Sequence, residues 1–393
     1  MEAFFRTHKY LIDHLGSPVR RELMDEIDWS SRLIGVKGCR GVGKTTFLLQ
    51  YAKENFGTDR SCLYINLNHF YFTACTLRDF ATAFAAKGGK TLLIDQVFKF
   101  PGWCEELKYC YENLPGLKIV FTGSSVMRLK EENPILSGLV DSYNLRGFSF
   151  REFVNMTVNE SFRSYTLEEI LSDHENISKE ITAKVKPLAF FQDYLHHGFY
   201  PFFLEQHNFS ENLLKTMNMM LEVDIVFIKQ VEQTYLTKLR KLLYLLAVQA
   251  PCAPNVSQLA KDINTSRATV VNYIKYLKDA RLINMLYLPD EEYPKKPSMV
   301  YMHNTNLMHM LRPTDFLPQS FRETFFYNSL HKDNRLNKSS EKNIQFVVNQ
   351  KYSFRIADKG ARIKNNPDNF YAIDGIEIGQ DNHIPLWLFG FLY

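Results

Sequence analysis

The sequence predicts an α/β fold built on a parallel sheet with helices on both faces. Three observations carry that expectation. From residue 32 to about residue 155, short runs that are apolar throughout alternate with helical stretches, and strands without a polar face belong to a sheet covered on both sides. Gly38-Cys39-Arg40-Gly41-Val42-Gly43-Lys44-Thr45 matches the phosphate-binding pattern G-x-x-x-x-G-K-[ST] at every fixed position. That stretch lies between a strand-like run, 32–37, and a helix-like run, 46–53, the context in which its chemistry works.

Taken in order, residues 1–30 read as a helical preface, with helical apolar spacing over 19–27. The strand at 32–37 then delivers the glycine loop. Its backbone N–H groups and the following helix dipole make an anion cradle. The nucleotide-holding set is Gly38, Cys39, Arg40, Gly41, Val42, Gly43, Lys44, Thr45 and Thr46. Lys44 reaches the β- and γ-phosphates of ATP, and the Thr45 hydroxyl ligates Mg²⁺. Further strands are expected at 61–67, 91–95 and 117–122. The run Leu92-Leu93-Ile94-Asp95 is an apolar strand ending in an acid, which places Asp95 to hold Mg²⁺ through water. Gln96 follows it; an amide orients a water molecule but does not take its proton. Thr122-Gly123-Ser124-Ser125 ends the next strand, with Ser124 the candidate sensor of the γ-phosphate.

Beyond the first α/β region, 31–157, helical periodicity dominates 158–235, the pattern of a helical lid or linker. Residues 236–290 read as a helix-turn-helix with a wing. Helices are expected at 238–248, 256–263 and 267–280, with Asn264-Thr265-Ser266 as the turn and Ser266 as the cap of the third helix. Lys238, Arg240, Lys241, Lys261, Arg267, Lys275, Lys278 and Arg281 stand against only Asp262 and Asp279. Arg267, Thr269, Asn272 and Tyr273 open the recognition helix, where base edges of DNA would be met. The last segment, 291–393, mixes a helix at 322–330 with strands at 344–348, 352–356, 375–379 and 386–392.

Bulk properties bound the class. The 393 residues suffice for two or three domains. A net charge of +4 does not by itself demand nucleic acid. No apolar run reaches the length of a membrane span, and the N-terminus lacks the layout of a signal peptide. The six cysteines include no C-x-x-C pair, so neither zinc nor a disulfide framework is suggested and a reduced, cytoplasmic protein is expected. His196-His197 lack a third ligand at metal spacing.

With these residues in view, the chain resembles a bacterial AAA-type ATPase of the uncharacterised group that joins an AAA core to a winged helix and a C-terminal nuclease-like domain. The likeness rests on the loop at 38–46, on the stretch from Leu93 to Trp103, on Ile119 to Ser125, on Phe148-Ser149-Phe150-Arg151-Glu152-Phe153 and on Gly198-Phe199-Tyr200-Pro201. It continues through Asn304-Thr305-Asn306-Leu307, Arg322-Glu323-Thr324-Phe325-Phe326 and the closing Ile384-Pro385-Leu386-Trp387-Leu388-Phe389-Gly390. The resemblance implies a P-loop NTPase core, a lid that closes over the base with Gly198 and Pro201 near the adenine, and a restriction-nuclease-like last domain. It also marks departures. The group reads Asp-Glu-x-His-Lys where this chain has Asp95-Gln96-Val97-Phe98-Lys99, and carries arginines where it has Ser137-Gly138-Leu139. In the last domain the acid positions fall on Gln345 and Arg355, which cannot hold Mg²⁺; Lys359 stands at the lysine position and Glu323 is a remnant acid. The reading is an ATP-binding switch with impaired hydrolysis and no nuclease activity. The alternative is a DNA-binding regulator that uses the winged helix and keeps the nucleotide as a structural element. A protein partner or a second copy of the chain completes the expected partners.

Overall fold

A computed structural model describes residues 1–16, 19–127, 134–205, 208–312 and 317–393. The chain divides into two compact units, Met1–Arg146 and Gly147–Tyr393.

The first unit is built on strands β1 (Leu33–Gly38), β2 (Cys62–Asn66), β3 (Thr91–Asp95), β4 (Lys118–Ser124) and β5 (Asp141–Asn144), arranged β2-β3-β4-β1-β5. Every neighbouring pair is parallel. Leu33, Ile34, Val36, Leu63, Leu92, Leu93, Ile94, Val120 and Phe121 are all buried, because helices cover both faces. These helices are α1 (Glu2–Asp13), α2 (Leu23–Glu26), α3 (Lys44–Asn55), α4 (Leu77–Ala86) and α5 (Trp103–Asn113). The arrangement is that of a P-loop NTPase core. Phe4 of α1 packs on Phe72 and Phe80, with ring centroids 5.7 and 5.1 Å apart. Trp29 stacks on Tyr51 of α3 at 3.9 Å. The helical spacing over 19–27 yields only the single turn of α2. The two arginines before it are held by other acceptors: Arg20 by Asp25 of α2 and Glu54 of α3, Arg21 by the carbonyls of Val42 and Arg146.

The second unit opens with α6 (Phe150–Val158) and α7 (Leu167–Thr182), each started by a reciprocal capping box, Ser149 with Glu152 and Thr166 with Glu169. Then come α8 (Pro187–Asp193), a π-helical turn at Tyr194–Gly198, α9 (Phe209–Met219), α10 (Leu236–Gln249), α11 (Val256–Asp262) and α12 (Arg267–Asp279). An antiparallel pair follows, β6 (Ile283–Leu286) and β7 (Met299–Met302). Helices α13 (Thr305–Leu311) and α14 (Pro318–Leu330) lead into a five-stranded mixed sheet. Its strands are β8 (Leu336–Lys338), β9 (Phe346–Val348), β10 (Tyr352–Asp358), β11 (Asn369–Asp374) and β12 (His383–Pro385), in the order β12-β11-β10-β9-β8. One apolar cluster runs from Phe150 and Phe191 through Phe325, Phe326 and Phe354 to Trp387 and Phe391.

Two strand expectations fail here. The strand lies at Asn369–Asp374 and stops before Gly375, whose φ of +81° turns the chain out of the sheet. The closing run, Leu386–Phe391, is a 3₁₀ helix buried at every residue. A short run that is apolar on all sides has no periodicity to tell strand from helix. Among the described residues, no helix is long and apolar enough to cross a membrane.

Candidate nucleotide-binding site

The site grows from the carboxyl ends of β1, β3 and β4. Gly38 ends β1 beside Ser124 of β4, and a Cβ there would stand 2.3 Å from the Leu145 carbonyl oxygen. Gly41 and Gly43 carry φ of +80° and +90°, a left-handed backbone that favours glycine. The chain therefore turns tightly enough to start α3 at Lys44. No side chain caps that helix N-terminus among the described residues, so its first N–H groups face the loop. Arg21 braces the loop from behind through the Val42 carbonyl at 3.1 Å.

Lys44 donates to the carbonyls of Gly38 at 2.8 Å and Cys39 at 2.7 Å. The Thr45 hydroxyl donates to Asp95 Oδ2 at 2.7 Å. Thr45 and Asp95 come from sequence positions far apart and meet as hard oxygen donors of the kind Mg²⁺ takes. Asp95 is 2% exposed. It also accepts from the Tyr64 hydroxyl at 2.9 Å on Oδ2, and from the Thr122 hydroxyl and the Gln96 N–H on Oδ1. Burial pushes the Tyr64 phenol up, and the neighbouring Asp95 charge adds to that.

Gln96 has φ +55°, a left-handed backbone on a residue with a Cβ. Its N–H is shared between Asp95 Oδ1 at 3.1 Å and Thr122 Oγ1 at 3.0 Å, and this fork holds the strained turn. Arg40 lies over the Phe98 ring at 5.7 Å, so this phenylalanine supports a loop residue. Ser124 is buried, and its hydroxyl accepts from the Val126 N–H at 3.4 Å. Cys39 and Val42 are buried parts of the loop wall, and Thr46 lies in the first turn of α3.

Gly198 and Pro201 lie in the second unit. Packing accounts for Gly198: a Cβ would meet Tyr194 at 2.5 Å and Phe153 at 2.9 Å. Arg151 is buried, donating to the carbonyls of Tyr393 and Phe162 at 3.1 Å each, so it is a structural arginine.

At the helix-turn-helix the hydroxyl of Ser266 caps α12 by accepting from the Thr269 N–H at 3.1 Å. Arg267 and Asn272 are exposed and Thr269 half-buried. Tyr273 is 4% exposed; it belongs to the packing of α12, not to a surface that meets base edges. Several of the basic residues are engaged. Arg240 pairs with Glu222, Lys275 with Asp279, and Lys238 donates to the Asn264 carbonyl. A cavity of about 270 Å³ lies between Arg267, Ala268, Val271 and Asn272 of α12, Val256 of α11, and Pro294 and Lys296 of the β6–β7 loop. The Tyr293 hydroxyl of that loop donates to Asn272 at 2.6 Å.

In the mixed sheet, Gln345 accepts from the Ile356 N–H at 3.0 Å. Asp358 and Asp374, register partners on parallel strands, both face Arg322, at 3.4 and 2.8 Å. Glu323 is held by Gln319 at 2.9 Å and Tyr301 at 3.2 Å, and burial pushes its carboxyl up. Among the described residues no cluster of histidine, cysteine and carboxylate side chains is disposed to hold a metal ion.

Sequence reading missed Tyr64, Thr122 as a ligand of Asp95, and Arg21. A hydroxyl inside an apolar strand was the signal for the first two. Arg21 offered none, since its role depends on two main-chain carbonyls.

Comparison with known proteins bears on both units. Residues 30–154 match the AAA domain family, and residues 189–315 match a domain of unknown function, DUF8612. Two uncharacterized proteins of Methanocaldococcus jannaschii are relatives. MJ1637 is 29% identical over 270 residues, 65% of this chain and 56% of that protein. MJ1544 is 24% identical over 267 residues, 64% of this chain and 55% of that protein. The matched stretch thus spans little more than half the length of these relatives, and both are archaeal, so the likeness is not confined to bacteria. Among solved structures, AMPPCP-bound DnaA from Aquifex aeolicus is 15% identical with a TM-score of 0.26, covering 70% of this chain and 86% of that one. The Aeropyrum pernix ORC1 protein in complex with DNA is 12% identical with a TM-score of 0.30, covering 80% and 92%. Structural likeness at that level carries no weight for arrangement or function. The sequence match and the sheet together give this chain an AAA-type domain of the P-loop NTPase fold over residues 30–154.

Proposed function

We propose that the chain is an ATP-binding AAA-type protein that acts as a nucleotide-gated switch and turns ATP over slowly. The contact of Thr45 with Asp95, beside Lys44 at the mouth of α3, supports this reading most. The loop amides and Lys44 hold the phosphates. Thr45 and Asp95 would hold Mg²⁺, which would supply positive charge to offset that of the phosphates. Gln96 orients water without accepting its proton, so hydrolysis is slow and the bound state persists. Such persistence suits a switch better than a motor. Calorimetric titration with ATP and Mg²⁺ tests the reading. Saturable binding by the wild type and its loss in Lys44→Ala support it, whereas undiminished binding by that variant refutes it.

A second reading draws on the cavity between α12 and the β6–β7 loop. Arg267 and Lys296 flank it, and neither makes an ion pair among the described residues. That surface suits the phosphate backbone of duplex DNA, with the nucleotide then a structural element. Binding of a duplex at low salt, falling steeply as salt rises and weakened by Arg267→Ala, supports it. No retention of duplex at low salt dismisses it. The last sheet is read as structural or partner-docking, because Gln345 and Arg355 are not metal ligands and Arg322 already satisfies the nearby acids.

A further inference from the structure

We infer that Tyr64 is a positioning residue for the metal-binding carboxylate and sets how strongly nucleotide binding depends on Mg²⁺; the inference rests on the nucleotide-binding reading above. Asp95 is saturated by four neutral donors. Oδ2 accepts from Thr45 at 2.7 Å and Tyr64 at 2.9 Å, and Oδ1 from Thr122 and the Gln96 N–H. An ionised carboxylate has about four acceptor sites, so its orientation is fixed completely. The donors divide by the duty each would have with a metal bound. The Thr45 hydroxyl would ligate the cation through a lone pair while its O–H stays free to donate to Oδ2. Tyr64 is the side-chain donor on that oxygen with no such second duty, so its bond serves orientation alone.

The tyrosine is built for the task. It lies on β2, the neighbour of β3, in register with Leu93, so its ring runs along the sheet and reaches the carboxylate at the strand end. The residue is 6% exposed, and its own N–H donates to His8 Nδ1 in α1 at 3.0 Å. A hydroxyl placed this way holds a carboxylate at one angle while adding no positive charge to compete with the cation. Partners that orient a metal ligand in this manner typically contribute 10–100-fold in metal affinity.

Tyr64→Phe keeps the ring and deletes one O–H. The measurement is the ratio of the ATP dissociation constant in EDTA to that in Mg²⁺, by calorimetry on the full chain. We expect the EDTA value to stay within about twofold and the ratio to fall on the order of 10-fold, with an unchanged melting temperature curve shape showing an intact fold. Thr122→Val, which deletes a hydroxyl on the other oxygen, should lower the ratio in the same direction. A ratio that is unchanged or larger in Tyr64→Phe, with normal wild-type binding, overturns this inference and leaves the nucleotide reading standing. Absence of ATP binding by the wild type takes both down.

Discussion

Two sets of carboxylates end parallel strands in this molecule, and they are held in opposite ways. Among the described residues, Asp95, at the end of β3, is bound by hydroxyls and one amide. Asp358 and Asp374, at the ends of β10 and β11, face the Arg322 guanidinium. Neutral donors stabilise a negative charge without cancelling it, so Asp95 keeps its field for an incoming cation. An arginine is permanently charged, and it leaves the other pair with little to offer a metal. The two sheets share a geometry, acids at carboxyl ends, yet only one presents a usable charge. Which counter-group sits beside the acid decides the chemistry more than the acid itself does.

The sharpest way to break that contrast is one substitution made in both places. Asp95→Asn should abolish the Mg²⁺-dependent part of ATP affinity, a loss on the order of 100-fold, because an amide cannot neutralise the cation. Asp358→Asn should leave ATP affinity unchanged. Equal effects in a binding titration would show that the two acids are not functionally distinct. Next in size, Arg322→Ala should lower stability by about 2–3 kcal/mol in denaturant unfolding, since it strands two like charges on adjacent strands. Half-exposure of Asp358, at 48%, keeps the cost below that of a fully buried pair. Recovery of the loss by millimolar Mg²⁺ would sharpen the comparison: the mixed sheet would then differ from the first only in carrying its own cation.

Much of the first unit was legible because its signals are local. A fixed glycine spacing, an apolar strand ending in Asp95 and a β-branched run before Thr122 each specify their own piece of backbone. The cap of α12 by Ser266 was readable for the same reason. What escaped depends on distant partners. Tyr64 gains its role from a strand end on its neighbour, Arg21 from the carbonyls of Val42 and Arg146, and Tyr273 loses its surface role through packing that its polar hydroxyl does not announce. The closing run at Leu386–Phe391 was misread because burial on every side erases periodicity.

Gln96 gives a smaller test of the same principle. Its backbone is already held in the left-handed region by Asp95 and Thr122, so Gln96→Glu changes the side-chain chemistry at a fixed location. Steady-state phosphate release should rise about 10-fold, with ATP affinity little changed. No rise would place the limiting defect in another element of the site.

The smallest expected effect removes one neutral donor. Thr122→Val is nearly isosteric; it takes one hydroxyl from Asp95 Oδ1, where the Gln96 N–H remains at 3.1 Å, and with it one of the two acceptors of that N–H. The cost should be about 1.5 kcal/mol in denaturant unfolding, the low end for a hydrogen bond to a charged group, below that of Arg322→Ala. If the hydroxyl proved as costly as the guanidinium, its bond to Asp95 would be carrying charge compensation as well as orientation. The distinction between a carboxylate kept available and one already neutralised would then fail at its weakest joint, the assumption that neutral donors leave the charge of Asp95 intact.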